Sequence, residues 1–164
     1  MFKRTLSVFF LFVKPLTILT LGLLVVIGVS AQTPPVAPAL YMKGTDIAAA
    51  LQSSLAERPA MGASLITTSD HYRINLITRT EAHGAIVHRP GTELHFIVEG
   101  AGILTTGGTV NRPADGGPAT TRNAVSQRVE KGDAILIPEG TPHHYTAVEG
   151  AITYLEVRFN VPVE

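Results

Sequence analysis

The spacing of apolar residues changes twice along the chain. In the first 31 positions they run together, densest in "LTILTLGLLVVIGVS" over residues 16–30. Between residues 45 and 59 they recur every four positions, at Ile47, Leu51 and Leu55, which is the single stripe of a short amphipathic helix. Thr45 or Asp46 caps its start and Pro59 ends it. Beyond Met61 the period falls to two, in β-branched segments at 64–68, 72–79, 85–88, 94–100, 102–108, 124–132, 133–138 and 152–159. Eight short strands separated by turn residues predict an all-β sandwich or barrel. "NRPADGGPATTRN", residues 111–123, is rich in turn formers and reads as a protruding hairpin loop.

The N-terminal run follows a basic "MFKR" and leads to the small residues Ser30 and Ala31. That order predicts a secretory signal peptide over 1–31, cut after Ala31. A retained anchor is the rival, but the uninterrupted apolar stretch is about 15 residues, against roughly 20 for a bilayer span. Three prolines in "QTPPVAPAL" mark an extended linker within 32–44. The expected organisation is therefore leader, linker, helix over 45–59 and one β-domain over 60–164. A periplasmic or secreted location follows, with no stable membrane partner once the leader is cut.

Charge narrows the partners. The chain has thirteen basic and thirteen acidic residues, but three of the basic ones lie in the leader. The remainder carries about −3 and has no Lys/Arg run, so a nucleic-acid partner is not expected. There is no cysteine, which excludes disulfides, thiolate metal sites and thiol catalysis. No Ser-His-Asp arrangement stands out, and the glycines at 100 and 102 lack the βαβ setting of a nucleotide site.

Two segments carry candidate chemistry. In "VHRPGTELHFIVEG", residues 87–100, Glu93, His95 and Ile97 share one strand face. The "RPGT" turn folds His88 back beside Glu93. In "GDAILIPEGTPHHYTA", residues 132–147, a buried strand and a turn lead to His143 and His144. These two point to opposite sides, so one of them faces the interior, and Tyr145 shares a side with His143.

These segments resemble the two motifs of the cupin family. Gly132, Pro138, Gly140 and His143 match the second motif at every spacing, with Ala147 in place of its final Asn. His88, Glu93 and Gly100 match the first, whose leading His is replaced by Ile86. The match covers about residues 64–160 and is similar to small secreted bacterial single-domain cupins. It implies a jelly-roll β-barrel in which both motifs face one divalent metal ion, here held by His88, Glu93 and His143. It also implies a homodimer paired through outer sheets. Zn, Fe, Mn, Ni or Cu suits such mixed nitrogen and oxygen ligands. His95, on Glu93's face, joins the ligands directly or orients one from behind.

The bland alternative keeps these residues as the polar core of a decayed site. Glu93, if unligated, is a candidate base, and Tyr145 a candidate acid or hydrogen-bond donor. His144 is expected on the outer face, and His71 and His83 in solvent. Arg73 either enters the barrel mouth to hold an anion or stays on the surface. Three functions remain open at this point. They are a metal-dependent enzyme such as a dioxygenase or isomerase acting on a small molecule, a non-catalytic binder of metal or small molecules, and an empty barrel.

Overall fold

A computed structural model describes residues 36–160. The expected leader over 1–31 lies outside the described residues. The described part is mostly β-strand with one helix, in a cupin-like β-sheet arrangement. Among the described residues, no helix is long and apolar enough to cross a membrane.

Helix α1 spans Gly44–Glu57 and has no fully buried residue. Ile47, Leu51 and Leu55 are its half-buried stripe. Lys43 stands at the N-cap and no side chain caps that end. The expected cap residues lie inside the first turn instead, where the Thr45 hydroxyl donates to Asp46 (3.4 Å). Leu55 seats against Gly62, where a Cβ would come within 2.5 Å of its Cγ.

Strands β1 (Met61–Thr68), β2 (Tyr72–Arg79), β3 (Thr92–Thr106), β6 (Val125–Glu130) and β8 (His143–Phe159) pair antiparallel in the order β1-β2-β8-β3-β6. Strand β7 (Ala134–Ile137) pairs the first part of β3. Strands β4 (Thr109–Asn111) and β5 (Thr120–Arg122) form a separate hairpin.

Two long strands replace shorter ones expected from sequence. The segments 94–100 and 102–108 belong to one strand, β3, with a bend at Gly100 between them. Gly100 has φ 78° and packs so closely on the Ala151 carbonyl that no side chain fits. Such bends re-aim a strand without ending it. Likewise β8 begins at His143 and runs through Gly150 (φ 77°) to Phe159. The segment 85–88 is no strand. It contributes one bridge, in which Ile86 and His143 exchange both backbone hydrogen bonds at 3.0 Å. The 111–123 segment is part of the β4–β5 hairpin, and Ala85 N–H donates to its Ala119 carbonyl (2.7 Å).

The core is Ile77, Ile97, Leu104, Val129, Ile137, Tyr145, Ile152 and Tyr154. Beside it the inward faces of β2, β8 and β3 line up in three cross-strand rows. Arg73, Arg158 and Glu93 form the first, Asn75, Glu156 and His95 the second, and Ile77, Tyr154 and Ile97 the third. The apolar row anchors the sheet, and the two polar rows carry the site.

Candidate metal centre

Glu93 is at the middle of the site and is 1% exposed. One carboxylate oxygen, Oε1, accepts from Arg158 Nε–H (2.8 Å) and lies 3.1 Å from His88 Nε2. The other, Oε2, lies 3.2 Å from His95 Nε2 and 3.3 Å from His143 Nε2. Burial alone would raise the Glu93 pKa. The close approach of the His143 and His95 rings, then the Arg158 charge, outweighs it and holds the carboxyl well below the usual range. The group is ionised at neutral pH.

Several contacts bring the two sequence segments together. Besides the Ile86–His143 bridge, Gly140 N–H donates to the His88 carbonyl (3.0 Å). Glu93 and Ile137 are register partners. The turn expected at "RPGT" is present, and Gly91 (φ 143°) leaves room for Arg158, whose Cδ would be 3.0 Å from a Cβ there. His143 and Arg158 stand near opposite ends of β8, yet both reach Glu93.

Among the described residues two groups bring ligand atoms within 4.8 Å of one another. One is His88, Glu93 and His143, and the other is Glu93, His95 and Glu156. The three imidazoles expected as ligands thus surround the fourth, the Glu93 carboxylate, but His95 falls in the second group. Its Nδ1 lies 3.3 Å from Tyr145 Oη. Tyr145 is 1% exposed, on His143's side as expected. Burial, the largest influence, pushes its hydroxyl pKa up. Tyr154, packed 4.4 Å from the His95 ring, is pushed up to about 12, again first by burial.

His143 supplies the test of whether a cation fits. Its Nδ1–H donates to the Thr141 carbonyl (3.0 Å), because a carbonyl can only accept. In the neutral imidazole the proton is then on Nδ1, and Nε2 presents a bare lone pair. That Nε2 is buried and makes no hydrogen bond, although it faces the carboxylate at 3.3 Å. Two acceptors in that position need something positive between them, either a second proton on the imidazole or a cation, and a divalent ion shared with His88 fits the donor set.

His88 is more open, with 26% of its side chain exposed. Burial lowers its pKa more than the Glu93 carboxylate raises it, and Arg158 lowers it further. Arg158 Nη2–H donates to His88 Nε2 (3.0 Å). One guanidinium thus holds both a nitrogen and an oxygen that a metal would use.

The other histidines divide. His71 is exposed, as expected. His83 is half-buried rather than solvated. Its Nδ1–H donates to Gly84 O (2.8 Å), and its Nε2 accepts from Tyr145 N–H (3.1 Å). His144 points away from Glu93 but is covered, at 6% exposed. Its Nδ1–H donates to His83 O (3.1 Å), and its Nε2 accepts from the Thr121 hydroxyl (3.2 Å). A cavity of about 240 Å³ lies beside this pair, but all four ring nitrogens are engaged, so it offers a metal no free lone pair.

His83 makes stability pH-dependent. Burial first, then the Arg79 charge, lowers its pKa to about 4. Only the unfolded chain then binds this proton between pH 6.5 and 4. The stabilisation is complete above pH 6.5 and is lost as pH falls to about 4. It is on the order of 1–2 kcal/mol once partial exposure is allowed for. Urea midpoints should fall between pH 7 and 4.5, and His83→Asn should fall less. An equal fall would remove His83 as the cause.

Sequence reading did not find Arg158, Glu156 or Asn75. The signal was there. "ITYLEVRF" and "YRINLITR" both alternate, and each puts polar residues on the side that also carries core residues such as Tyr154 and Ile77. An alternation with polar groups facing inward marks a site.

The chain belongs to the AraC-like ligand binding domain family, whose model matches residues 69–162. Among solved structures it is similar to KdgF from Halomonas sp. (14% identity, 64% of this chain and 83% of that one, TM-score 0.49). A cupin superfamily protein from Desulfitobacterium hafniense is similar too (14%, 62% and 78%, TM-score 0.46). So is the cupin domain of Schizosaccharomyces pombe Cnp3 (11%, 62% and 61%, TM-score 0.46). No protein with a curated description matches the chain.

Proposed function

We propose that this protein is a divalent-metal-dependent binding module for a small molecule. The single observation that carries this is the buried, unpartnered His143 Nε2 facing Glu93. His88, Glu93 and His143 would hold the ion, with His95 orienting Glu93 from behind. When bound, such an ion supplies a Lewis acid with open positions for a ligand atom. The family's ligand-binding description is in keeping with this role.

Proton-transfer catalysis by Glu93 or Tyr145 is the weaker reading. Their pKa values are displaced away from neutrality in opposite directions, whereas an effective acid or base lies near the working pH. Oxidoreductase or isomerase chemistry at the metal remains the second reading, favoured by the cavity next to His88.

The test is metal content. The chain, expressed from its full sequence without an affinity tag and purified without chelator, should carry about one divalent ion per molecule. His143→Ala should carry none while keeping its circular dichroism spectrum. A wild-type protein that takes up no Zn, Fe, Mn, Ni or Cu on reconstitution would overturn the proposal.

We also infer that the sheet closes into a jelly-roll barrel of the small secreted cupin type. It would act in the periplasm or beyond, after removal of the leader. The same inference extends to a homodimer. Leu76, Leu94, Leu155 and Val157 form an apolar outer face with Phe96 (42% exposed) and Leu136 (61%). Contiguous apolar faces of this kind mark association sites. Light scattering should give twice the chain mass, and Phe96→Glu should halve it. A monomeric wild type would discard this interface.

A further inference from the structure

We propose that the arginine-lined cavity beside the metal centre is a binding site for a small hydroxy-carboxylate anion. The cavity holds about 230 Å³, which suits a ligand smaller than most drug-sized molecules. Four arginines line it, Arg58, Arg73, Arg79 and Arg158, against a single carboxylate, Glu156. The cavity shares His88 and Arg158 with the metal centre, but Arg79 and Asn75, which carry the argument, bond Tyr154 and Glu156 and none of the proposed metal ligands.

The charges do not balance. Of the two nearby carboxylates, Glu93 is engaged by Arg158 and by three imidazoles. Glu156 accepts from Asn75 Nδ2–H (2.9 Å) and lies 3.6 Å from Arg158. Among the described residues no carboxylate comes within 4.0 Å of Arg58, Arg73 or Arg79. Arg73 and Arg158 are direct cross-strand partners on one face, and like charges placed so repel.

Arg79 is the strongest indication. It is only 8% exposed, and its Nε–H donates to Tyr154 Oη (2.9 Å). The Tyr154 hydroxyl is an uncharged partner and leaves the guanidinium without a counter-ion. A buried guanidinium without a counter-anion is costly, and Arg is the side chain whose planar fork fits a carboxylate in two parallel hydrogen bonds.

Asn75 specifies the rest of the ligand. It sits between Arg73 and Arg79 on the inward face of β2 and is 4% exposed. Its Nδ2 is spent on Glu156, while its Oδ1 is buried with no donor. An unmet acceptor beside cations calls for a ligand hydroxyl near the carboxylate. Acetate would answer the arginines and leave Asn75 unmet. A neutral sugar would answer Asn75 and leave the arginines unmet.

The experiment is isothermal titration of the purified full chain, in chelator-treated and metal-loaded forms. The probes are L-malate, succinate, D-gluconate, glucose and inorganic phosphate. L-malate or D-gluconate should bind in both forms and glucose in neither. Succinate, which is malate without its hydroxyl, should bind about tenfold more weakly than malate. Asn75→Leu should erase that malate–succinate difference. Arg79→Gln should weaken malate or gluconate by more than about tenfold, and the exposed Arg73→Gln, which is safe for folding, by several-fold. Arg128→Gln, which pairs with Glu149 on the surface, should change nothing. The proposal is overturned if no carboxylate binds either form, or if phosphate binds more tightly than malate and gluconate. It is also overturned if binding occurs only with metal and ignores both cavity arginine substitutions. Binding in the chelated form would uphold this site even if no metal were ever found, so the two proposals fail separately.

Discussion

Glu93→Gln should both empty the metal centre and weaken the fold. The substitution keeps the shape of the side chain and removes its charge. Oε1 and Oε2 are contacted by Arg158 and three imidazoles, so one change alters every polar contact at the centre. Loss of a charged ligand should lower metal affinity by more than about 100-fold, beyond the 10–100-fold typical of outer-shell changes. Arg158 would then keep its charge beside a neutral amide, which costs about 3 kcal/mol when the pair is largely buried. Elemental analysis reads the first effect, and urea unfolding in chelator reads the second. Because chelator removes the metal's own contribution, a Glu93→Gln protein as stable as wild type there would mean that the ion pair contributes nothing. Normal metal content would mean that Glu93 is not a ligand.

Arg158→Gln should have the opposite effect on metal. Its guanidinium sits 2.8 Å from Glu93 Oε1 and 3.0 Å from His88 Nε2, so it occupies lone pairs that a cation needs. Two unit charges at about 4 Å repel by about 4 kcal/mol at an effective dielectric near 20, and a divalent ion roughly doubles this. Arg158 can relieve much of that by swinging toward Glu156, 3.6 Å away. The expected gain is therefore only about tenfold in metal affinity, or 1.4 kcal/mol. Without metal the variant should be less stable, because Glu93 loses its strongest partner. Thermal melts with and without Zn should thus cross, with the variant lower in chelator and more strongly raised by the ion. If Arg158→Gln instead loses metal, Arg158 supports the site and does not compete for it.

Much of this centre was legible in the sequence because its parts are local. Glu93 and His95 are two apart on a strand, and period-two geometry fixes their common side whatever the rest of the chain does. The turn at Pro90 and Gly91 and the spacing from Gly132 to His143 are likewise short-range. Arg158, Asn75 and Glu156 were not found because their roles depend on register between strands more than 60 positions apart. No single-chain periodicity encodes that register. The merging of two expected strands into β3 was hidden for a related reason. Glycine is a turn signal by composition, but at Gly100 its lack of a side chain serves close contact with Ala151 inside a continuous strand. His83 was misplaced because a loop histidine in sequence gives no hint that a backbone amide 62 positions away will donate to it.

His143 and Arg158 belong to the same strand, fifteen positions apart, and a straight strand would carry them about 50 Å from each other. Both touch Glu93, so β8 must curl round until its two ends meet at one carboxylate. Assembly of the centre is therefore all-or-none with respect to that strand. Slippage near Gly150 would part the two ends together, and affinity for the ion would serve as a gauge of whether the whole ribbon has been wound correctly.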